Sequence, residues 1–245
     1  MDPAAVVGVL DEAVAVVQDA LTGIVDWRPG GERLGQYALD LVADAPVVRH
    51  LVEAGFGVLS EESGLHHPDR DVVVVVDPVD GSTNASRRIP YYATSLCAVD
   101  RDGPLAAVVV NLATGEHFDA IRGGGARRDG EAIAASGEVA LADALVAVNG
   151  LPPHHWGWAQ FRSFGAAALD LCAVACGRID AYVDATAGQH GPWDYLGGLL
   201  VCTEAGAVVT DATGRDLVVL EHDARRRPVA AASVALHDTL RRLLV

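Results

Sequence analysis

Val72-Val73-Val74-Val75-Val76-Asp77-Pro78-Val79-Asp80-Gly81-Ser82-Thr83-Asn84 is the stretch from which the rest of the chain is read. Five consecutive β-branched residues predict a strand buried on both faces. It is expected to end at Asp77-Pro78, where proline removes a ladder donor. Two carboxylates flanking a proline turn, Asp77 and Asp80, can ligate neighbouring metals, with the Val79 carbonyl between them. Hard oxygen ligands without a local His/Cys set select Mg²⁺, or Mn²⁺ as a substitute, over Zn²⁺. Gly81 lets the backbone approach an anion, while Ser82, Thr83 and Asn84 suit the start of a helix whose free N–H groups face a phosphate.

Upstream, Val6, Val7, Leu10, Val14, Val17 and Leu21 fall at helical spacing, predicting an amphipathic helix that ends near Thr22-Gly23. A second helix is expected from about Leu41 to Glu53, followed by a short apolar run, Phe56 to Ser60. Downstream, β-like runs around 92–99, 105–111 and 116–121 are separated by Asp102-Gly103-Pro104 and Thr114-Gly115, the pattern of an antiparallel meander. The second half alternates: strand 145–148, helix 165–176, strand 179–183, helix 194–206, then strands 207–210 and 217–220. The fold class is therefore an α+β half, about 1–135, followed by an α/β half, about 136–245. Neither a linker nor an internal repeat separates them, so a single domain with a cleft between its halves is expected.

The 245 residues include 33 acidic and 18 basic side chains, a net charge of −15 that excludes a nucleic-acid or anionic-membrane binder held by bulk charge. Every basic residue is arginine, which excludes Schiff-base lysine chemistry and a P-loop lysine. The apolar runs are far shorter than the roughly 20 residues of a membrane helix. Acids near the N-terminus stand where a secretory signal carries basic residues. Cys97, Cys172, Cys176 and Cys202 form no CxxC pair and read as reduced thiols, so a cytoplasmic location is expected.

The acids collect at breaks in the apolar pattern: Glu61-Glu62 after a strand, Asp77 and Asp80 at a strand end, Asp194 opening a helix. Unpaired carboxylates converging on one edge repel unless a cation lies between them. Metal carboxylates beside a phosphate cradle point to metal-assisted phosphoryl chemistry. Taken singly, each feature has an ordinary reading as solvated surface, turn or helix cap; their ordered conjunction favours a site. Other motifs keep the ordinary reading. Gly123-Gly124-Gly125 is a turn, His66-His67 and His154-His155 diverge on extended chain, Trp156 and Trp158 pack, and Arg225-Arg226-Arg227 is a solvated loop.

Together these segments resemble the inositol monophosphatase-like family of magnesium-dependent, lithium-sensitive phosphatases. The resemblance rests on Leu59-Ser60-Glu61-Glu62-Ser63-Gly64, on Asp77 through Asn84, and on Pro192-Trp193-Asp194 leading into Glu204-Ala205-Gly206. Gly165-Ala166-Ala167-Ala168-Leu169-Asp170-Leu171-Cys172 matches the helix that the family places beside its substrate. The likeness covers about 36–211 and implies a layered αβαβα sugar-phosphatase-like fold.

Carried over to this chain, it implies that Glu61, Asp77, the Val79 carbonyl, Asp80 and Asp194 ligate two to three Mg²⁺ ions. Asp40, Glu61 and Ser82 would be catalytic, Ser82 standing where the family has threonine and Asp40 preferred to Asp44 for the partner aspartate. Ala38-Leu39 replaces the usual Val-Thr ahead of it, a departure in the metal loop. Phosphate and substrate contacts would come from Asp80, Gly81, Ser82, Gly165, Ala166, Ala167, Asp184 and Asp194. Asp184 is shorter than the family's glutamate, and about three residues are added between it and Asp194. The implied reaction is hydrolysis of a small-metabolite phosphate monoester by metal-activated water, with an inositol or other polyol or sugar monophosphate first. Histidinol phosphate, fructose 1,6-bisphosphate and a nucleoside 3′,5′-bisphosphate are alternatives, as is a non-catalytic metal and phosphate-binding protein. Family members are commonly dimers, and the segment around Tyr91 and Tyr92 could supply an interface.

Overall fold

The structure, a computed structural model, describes residues 2–28, 30, 37–186 and 188–244. Residues 31–36 of the expected metal loop, and residue 187 between Asp184 and Asp194, lie outside the described residues. The chain opens with α1 (Pro3–Thr22) and α2 (Ala38–Glu53), followed by β1 (Gly57–Ser60), β2 (Gly64–His66), β3 (Val73–Asp80) and α3 (Ser82–Arg87). Then come β4 (Ala93–Asp100), β5 (Gly103–Asn111), β6 (His117–Ile121), β7 (Gly125–Arg128) and β8 (Glu131–Ala132). The second half comprises β9 (Leu145–Asn149), β10 (Gln160–Arg162), α4 (Ala167–Ala175), β11 (Ala181–Asp184), α5 (Pro192–Glu204), β12 (Val208–Asp211), β13 (Pro228–Ala231) and α6 (Val234–Leu244).

Eight strands form one sheet in the order β2-β1-β3-β4-β5-β6-β7-β8, with β1 and β3 parallel and the meander antiparallel. Five form a second sheet, β10-β9-β11-β13-β12. The valine run shows why layers stack on both faces. Val74 and Val76 pack with Leu10, Val14 and Val17 of α1 and Val47 and Leu51 of α2. Val73 and Val75 point the other way, into a core shared with Leu171 of α4, Leu196 and Leu200 of α5, and Tyr182 and Ala230 of the second sheet. The far face of that sheet is covered by Leu236, Leu240 and Leu244 of α6 and by Trp156 and Trp158. The order is thus helices, sheet, helices, sheet, helix. Burying each large aliphatic side chain contributes about 1.5–3 kcal/mol, so these three apolar clusters carry most of the driving force for stacking the layers.

Several boundaries differ from the sequence reading. β3 continues through Pro78 instead of ending there: β1 stops pairing at Ser60↔Val76, and the β4 register shifts between Asp77↔Ser95 and Asp80↔Ala93. The missing proline N–H falls where no ladder bond is needed. α4 starts at Ala167 because Gly165 has φ +88°. No strand forms at 217–220; Leu217 is buried, Val218 and Leu220 pack against the middle core, and the Leu217 carbonyl accepts Tyr195 Oη at 2.8 Å. The Gly123–Gly125 turn is a turn, its Gly123 and Gly125 amides donating to Glu204 at 2.8 and 2.9 Å. The Arg225–Arg227 segment is tethered, not solvated throughout: Arg226 Nε donates to the Asp216 carbonyl and Arg227 Nε to that of Asp184. Among the described residues, no helix is long and apolar enough to cross a membrane.

Candidate active site

The parallel pair β1 and β3 ends at one edge, and the acids emerge there. Glu61 follows β1, and its amide donates to the Val76 carbonyl at 3.1 Å, fixing it beside Asp77. Asp77 and Asp80 sit on either side of the β3 irregularity, where Asp77 Oδ1 accepts the Val79 amide at 3.0 Å. Gly81 makes the turn into α3 with φ +82°, and a Cβ there would lie 3.0 Å from the Gly165 carbonyl and 3.1 Å from Ala166 Cβ. Glycine is therefore required both for the turn and for the close approach. Asn84 holds the same approach from α3, its Nδ2 donating to the carbonyls of Tyr91 (2.8 Å) and Phe164 (2.7 Å). As a result Gly165, Ala166 and Ala167 lie against Gly81, and the Ala168 amide donates to Asp80 Oδ2 at 2.7 Å.

From the other half, α5 delivers Asp194 on its first turn, where Oδ2 accepts the Gly191 amide at 2.6 Å. Asp77, Asp80 and Asp194 each present a ligand oxygen, and these lie within 4.8 Å of one another. Burial, then Asp194, Glu62 and Asp40, drives the Glu61 carboxyl well above the usual carboxylate range. Asp77 is raised likewise, by burial and then by Glu61, Asp80 and Asp194. Asp80 is pushed up to about 7 by burial and Asp194, against the amides of Ala168 and Ala167 and the charge of His190. A buried to half-buried set of carboxyl groups that resist ionising together is what a hard divalent cation would neutralise, and among the described residues the cluster holds no cysteine.

Asp40 lies on the first turn of α2, its Oδ2 accepting the Tyr37 amide at 2.9 Å. Its Oδ1 is buried and has no hydrogen-bond partner among the described residues. Burial raises this carboxyl to about 7, with Glu62 adding to the rise and Tyr37 and Ser82 opposing it. Asp44, one turn on, faces the Ser60 hydroxyl instead, in a short hydrogen bond. Ser82 opens α3 and neighbours Asp40. Asp184 is fully buried at the end of β11, with Oδ1 accepting Asn149 Nδ2 (3.1 Å), the Thr186 amide (2.9 Å) and the Thr186 hydroxyl (2.7 Å). Its Oδ2 has no hydrogen-bond partner among the described residues and faces His190 Nε2 at 4.0 Å. The structure thus brings Asp40, Glu61, Asp77, Val79, Asp80, Ser82 and Asp194 together, with Asp184 set apart behind His190.

His190 escaped the sequence reading. Its Nδ1 lies 3.5 Å from Asp194 Oδ2, and its Nε2 lies 2.8 Å from Tyr182 Oη and 3.1 Å from Asn149 Nδ2. Burial pulls its pKa down, but the Asp194 hydrogen bond and the charges of Asp194, Asp184 and Asp80 outweigh it, and the net shift is upward. The signal was its position four residues before Asp194. His154 and His155 lie in the segment between β9 and β10, while Trp156 and Trp158 are buried packing residues.

Comparison with known proteins identifies relatives of the chain in sequence and in fold. Residues 38–245 match the model of the inositol monophosphatase family. A protein of Archaeoglobus fulgidus named fructose-1,6-bisphosphatase/inositol-1-monophosphatase is 35% identical over 214 residues, covering 84% of this chain and 82% of that one. Nus factor SuhB of Escherichia coli is 35% identical over 173 residues, 64% of this chain and 63% of that protein. Among solved structures, a hypothetical protein from Pyrococcus horikoshii described as similar to inositol-1 monophosphatase superposes with a TM-score of 0.84 at 26% identity, over 96% of this chain and 97% of that one. Inositol monophosphatase from Anabaena superposes with a TM-score of 0.82 at 26% identity, over 100% and 96% of the two chains.

Proposed function

Since the chain belongs to the inositol monophosphatase family, a family of metal-dependent phosphatases, we propose that it hydrolyses a phosphate monoester of a small polyol or sugar using Mg²⁺. The observation that carries the reading is the convergence of Asp77, Asp80 and Asp194 within 4.8 Å, beside Glu61 and Asp40. Glu61, Asp77, the Val79 carbonyl, Asp80 and Asp194 would hold two to three ions. When bound, these supply Lewis acidity to the attacking water and to the leaving oxygen.

The remaining steps belong to the chain's own groups. Ser82 orients the attacking water, and Asp40 Oδ1, buried and without a hydrogen-bond partner among the described residues, accepts its proton. In the metal-free chain burial raises Asp40 to about 7, and a carboxylate of raised pKa is the better proton acceptor. The amides of Gly81 and Ser82 receive the phosphate oxygens at the turn into α3. Gly165, Ala166 and Ala167 form the adjacent wall, and Asp184, fully buried, would act on a substrate hydroxyl through Asn149 and His190, the side chains it faces. Fructose 1,6-bisphosphate is a strong second substrate, since the Archaeoglobus relative carries both names; histidinol phosphate and a nucleoside 3′,5′-bisphosphate follow.

The protein is proposed to work in the cytoplasm as a homodimer, as one domain, without nucleic-acid or membrane partners. The free state of all four cysteines supports the cytoplasmic location, and the charge of −15 supports the absence of partners held by bulk charge. A panel of phosphate monoesters assayed with and without Mg²⁺, with Li⁺ added to one series, tests the reading. Mg²⁺-dependent release inhibited by Li⁺ is expected. A panel that stays inert while Mg²⁺ binds would replace catalysis with a metal and phosphate-binding role.

A further inference from the structure

Strands β12 and β13 are antiparallel neighbours, paired from Val208↔Ala231 to Asp211↔Pro228, yet residues 212–227 join them. Hairpin connections usually take about two to five residues, and long loops without regular structure are commonly functional. This one is held at several points. The Leu217 carbonyl accepts Tyr195 Oη at 2.8 Å, Ala224 is buried, and the Arg226 amide donates to the His190 carbonyl at 2.8 Å. Arg227 Nε donates to the Asp184 carbonyl at 2.8 Å.

Between these anchors the loop places His222 against two parts of the site at once. Its Nε2 lies 2.9 Å from the Glu61 carbonyl, and because a carbonyl only accepts, Nε2 carries the proton. Its ring packs on Trp193, with centroids 5.0 Å apart and planes at 36°. Arg225 lies over the same indole, 5.1 Å from its centroid. Trp193 immediately precedes Asp194. Glu61 is therefore fixed twice through its backbone: its amide by Val76, next to Asp77, and its carbonyl by His222, which stacks next to Asp194.

We infer that His222 is a positioning residue for the metal centre, bridging Glu61 on the eight-stranded sheet to the Trp193-Asp194 start of α5 so that both carboxylates reach the same ions. This rests on the reading of Glu61 and Asp194 as ligands. The hydrogen bond to Glu61 sets the position, and the stack on Trp193 sets the orientation of the imidazole that makes it. Outer-shell groups of this kind tune affinity without touching the ion.

The test is calorimetric titration of Mn²⁺ and Mg²⁺ into the full chain, as wild type and as His222→Phe, His222→Gln and Asp194→Asn, with metal-free thermal midpoints alongside. His222→Phe keeps a ring on Trp193 but loses the donor, while His222→Gln restores an N–H at the reach of Nε2. The expected result is metal affinity about tenfold weaker in His222→Phe and within about threefold of wild type in His222→Gln. In the phosphatase assay the Mg²⁺ half-saturation point of His222→Phe should rise by the same factor, while kcat at saturating Mg²⁺ stays near wild type. His222→Ala serves as the donor-free probe if His222→Phe does not fold. Wild-type affinity in the donor-free variant, with affinity lost in Asp194→Asn, would overturn the role of His222 alone. Wild-type affinity in Asp194→Asn would overturn the ligand assignment and this inference with it.

Discussion

Replacing Asp80 with asparagine should make the metal-free protein more stable while abolishing its response to metal. The Asp80 carboxyl is raised to about 7 by burial and then by Asp194. Below the ordinary value of 3.8, both folded and unfolded chains hold the proton. Between 3.8 and about 7 only the folded chain holds it, so wild-type stability falls as pH rises, and above 7 the full cost is present. At about 1.4 kcal/mol per pH unit, a span of roughly three units sets a ceiling of about 4 kcal/mol. Local relaxation and bound counterions reduce it to about 2 kcal/mol.

Asparagine keeps an oxygen for the Ala168 amide, now 2.7 Å from Asp80 Oδ2, and presents a donor to Asp194 in place of a like charge. For a chain of this size about 2 kcal/mol moves the thermal midpoint by roughly 4–8 °C. Scanning fluorimetry in a chelator from pH 4 to 8.5 should show no difference at pH 4 and the full gain at pH 8. Saturating Mg²⁺ should then reverse the order, because only the wild type gains binding energy. An Asp80→Asn variant no more stable than wild type at pH 8 in chelator would show that the Asp80 charge costs the fold nothing, and one equally stabilised by Mg²⁺ would show that Asp80 is not a ligand.

Other outcomes follow from the same geometry. Ser82→Ala should lower kcat by about 10²–10⁴-fold with Ser82→Thr close to wild type, as steady-state phosphate release would show. Metal affinity should climb between pH 6 and 8, since ions must displace protons from the ligand carboxyls, Asp80 raised to about 7 and Glu61 and Asp77 raised with it; calorimetry in buffers of different ionisation heat reads that proton release. Glu204→Ala strips the exposed Gly123 and half-buried Gly125 amides of their acceptor, and because water can replace it the cost in a melt should be about 0.5–1.5 kcal/mol. Gly197→Ala puts a Cβ 2.6 Å from Ser95 Oγ and 3.0 Å from Val109 Cγ2, lifting α5 off the sheet. A loss of about 1–3 kcal/mol is expected, together with weaker metal binding, because Ser95 Oγ donates to the Trp193 carbonyl beside Asp194.

What the sequence made legible is what repeats or clusters locally. The valine run, the meander and α1 declare their faces by spacing, and Glu61, Asp77, Asp80 and Asp194 stand at breaks in that pattern. What it hid depends on partners far along the chain. Leu217-Val218-Val219-Leu220 has strand-forming residues but no neighbouring strand, and its side chains fill the middle layer instead. Pro228-Val229-Ala230-Ala231 reads as a poor strand, yet becomes β13 because β11 and β12 pair with it on both sides. In α6, Leu236, Leu240 and Leu244 are buried at a spacing of four residues, a helical pattern carried by the sequence itself. His190 and His222 gain meaning only once the loops carrying them close on Asp194 and Glu61.

The most direct test of the central claim is anomalous diffraction from crystals of this protein soaked in Mn²⁺. Peaks should lie among the carboxylates of Glu61, Asp77, Asp80 and Asp194, and Asp77→Asn crystals treated identically should lose them. Mn²⁺ bound elsewhere with that cluster empty, or peaks unchanged in Asp77→Asn, would contradict the metal-centred site on which the proposed phosphatase mechanism depends.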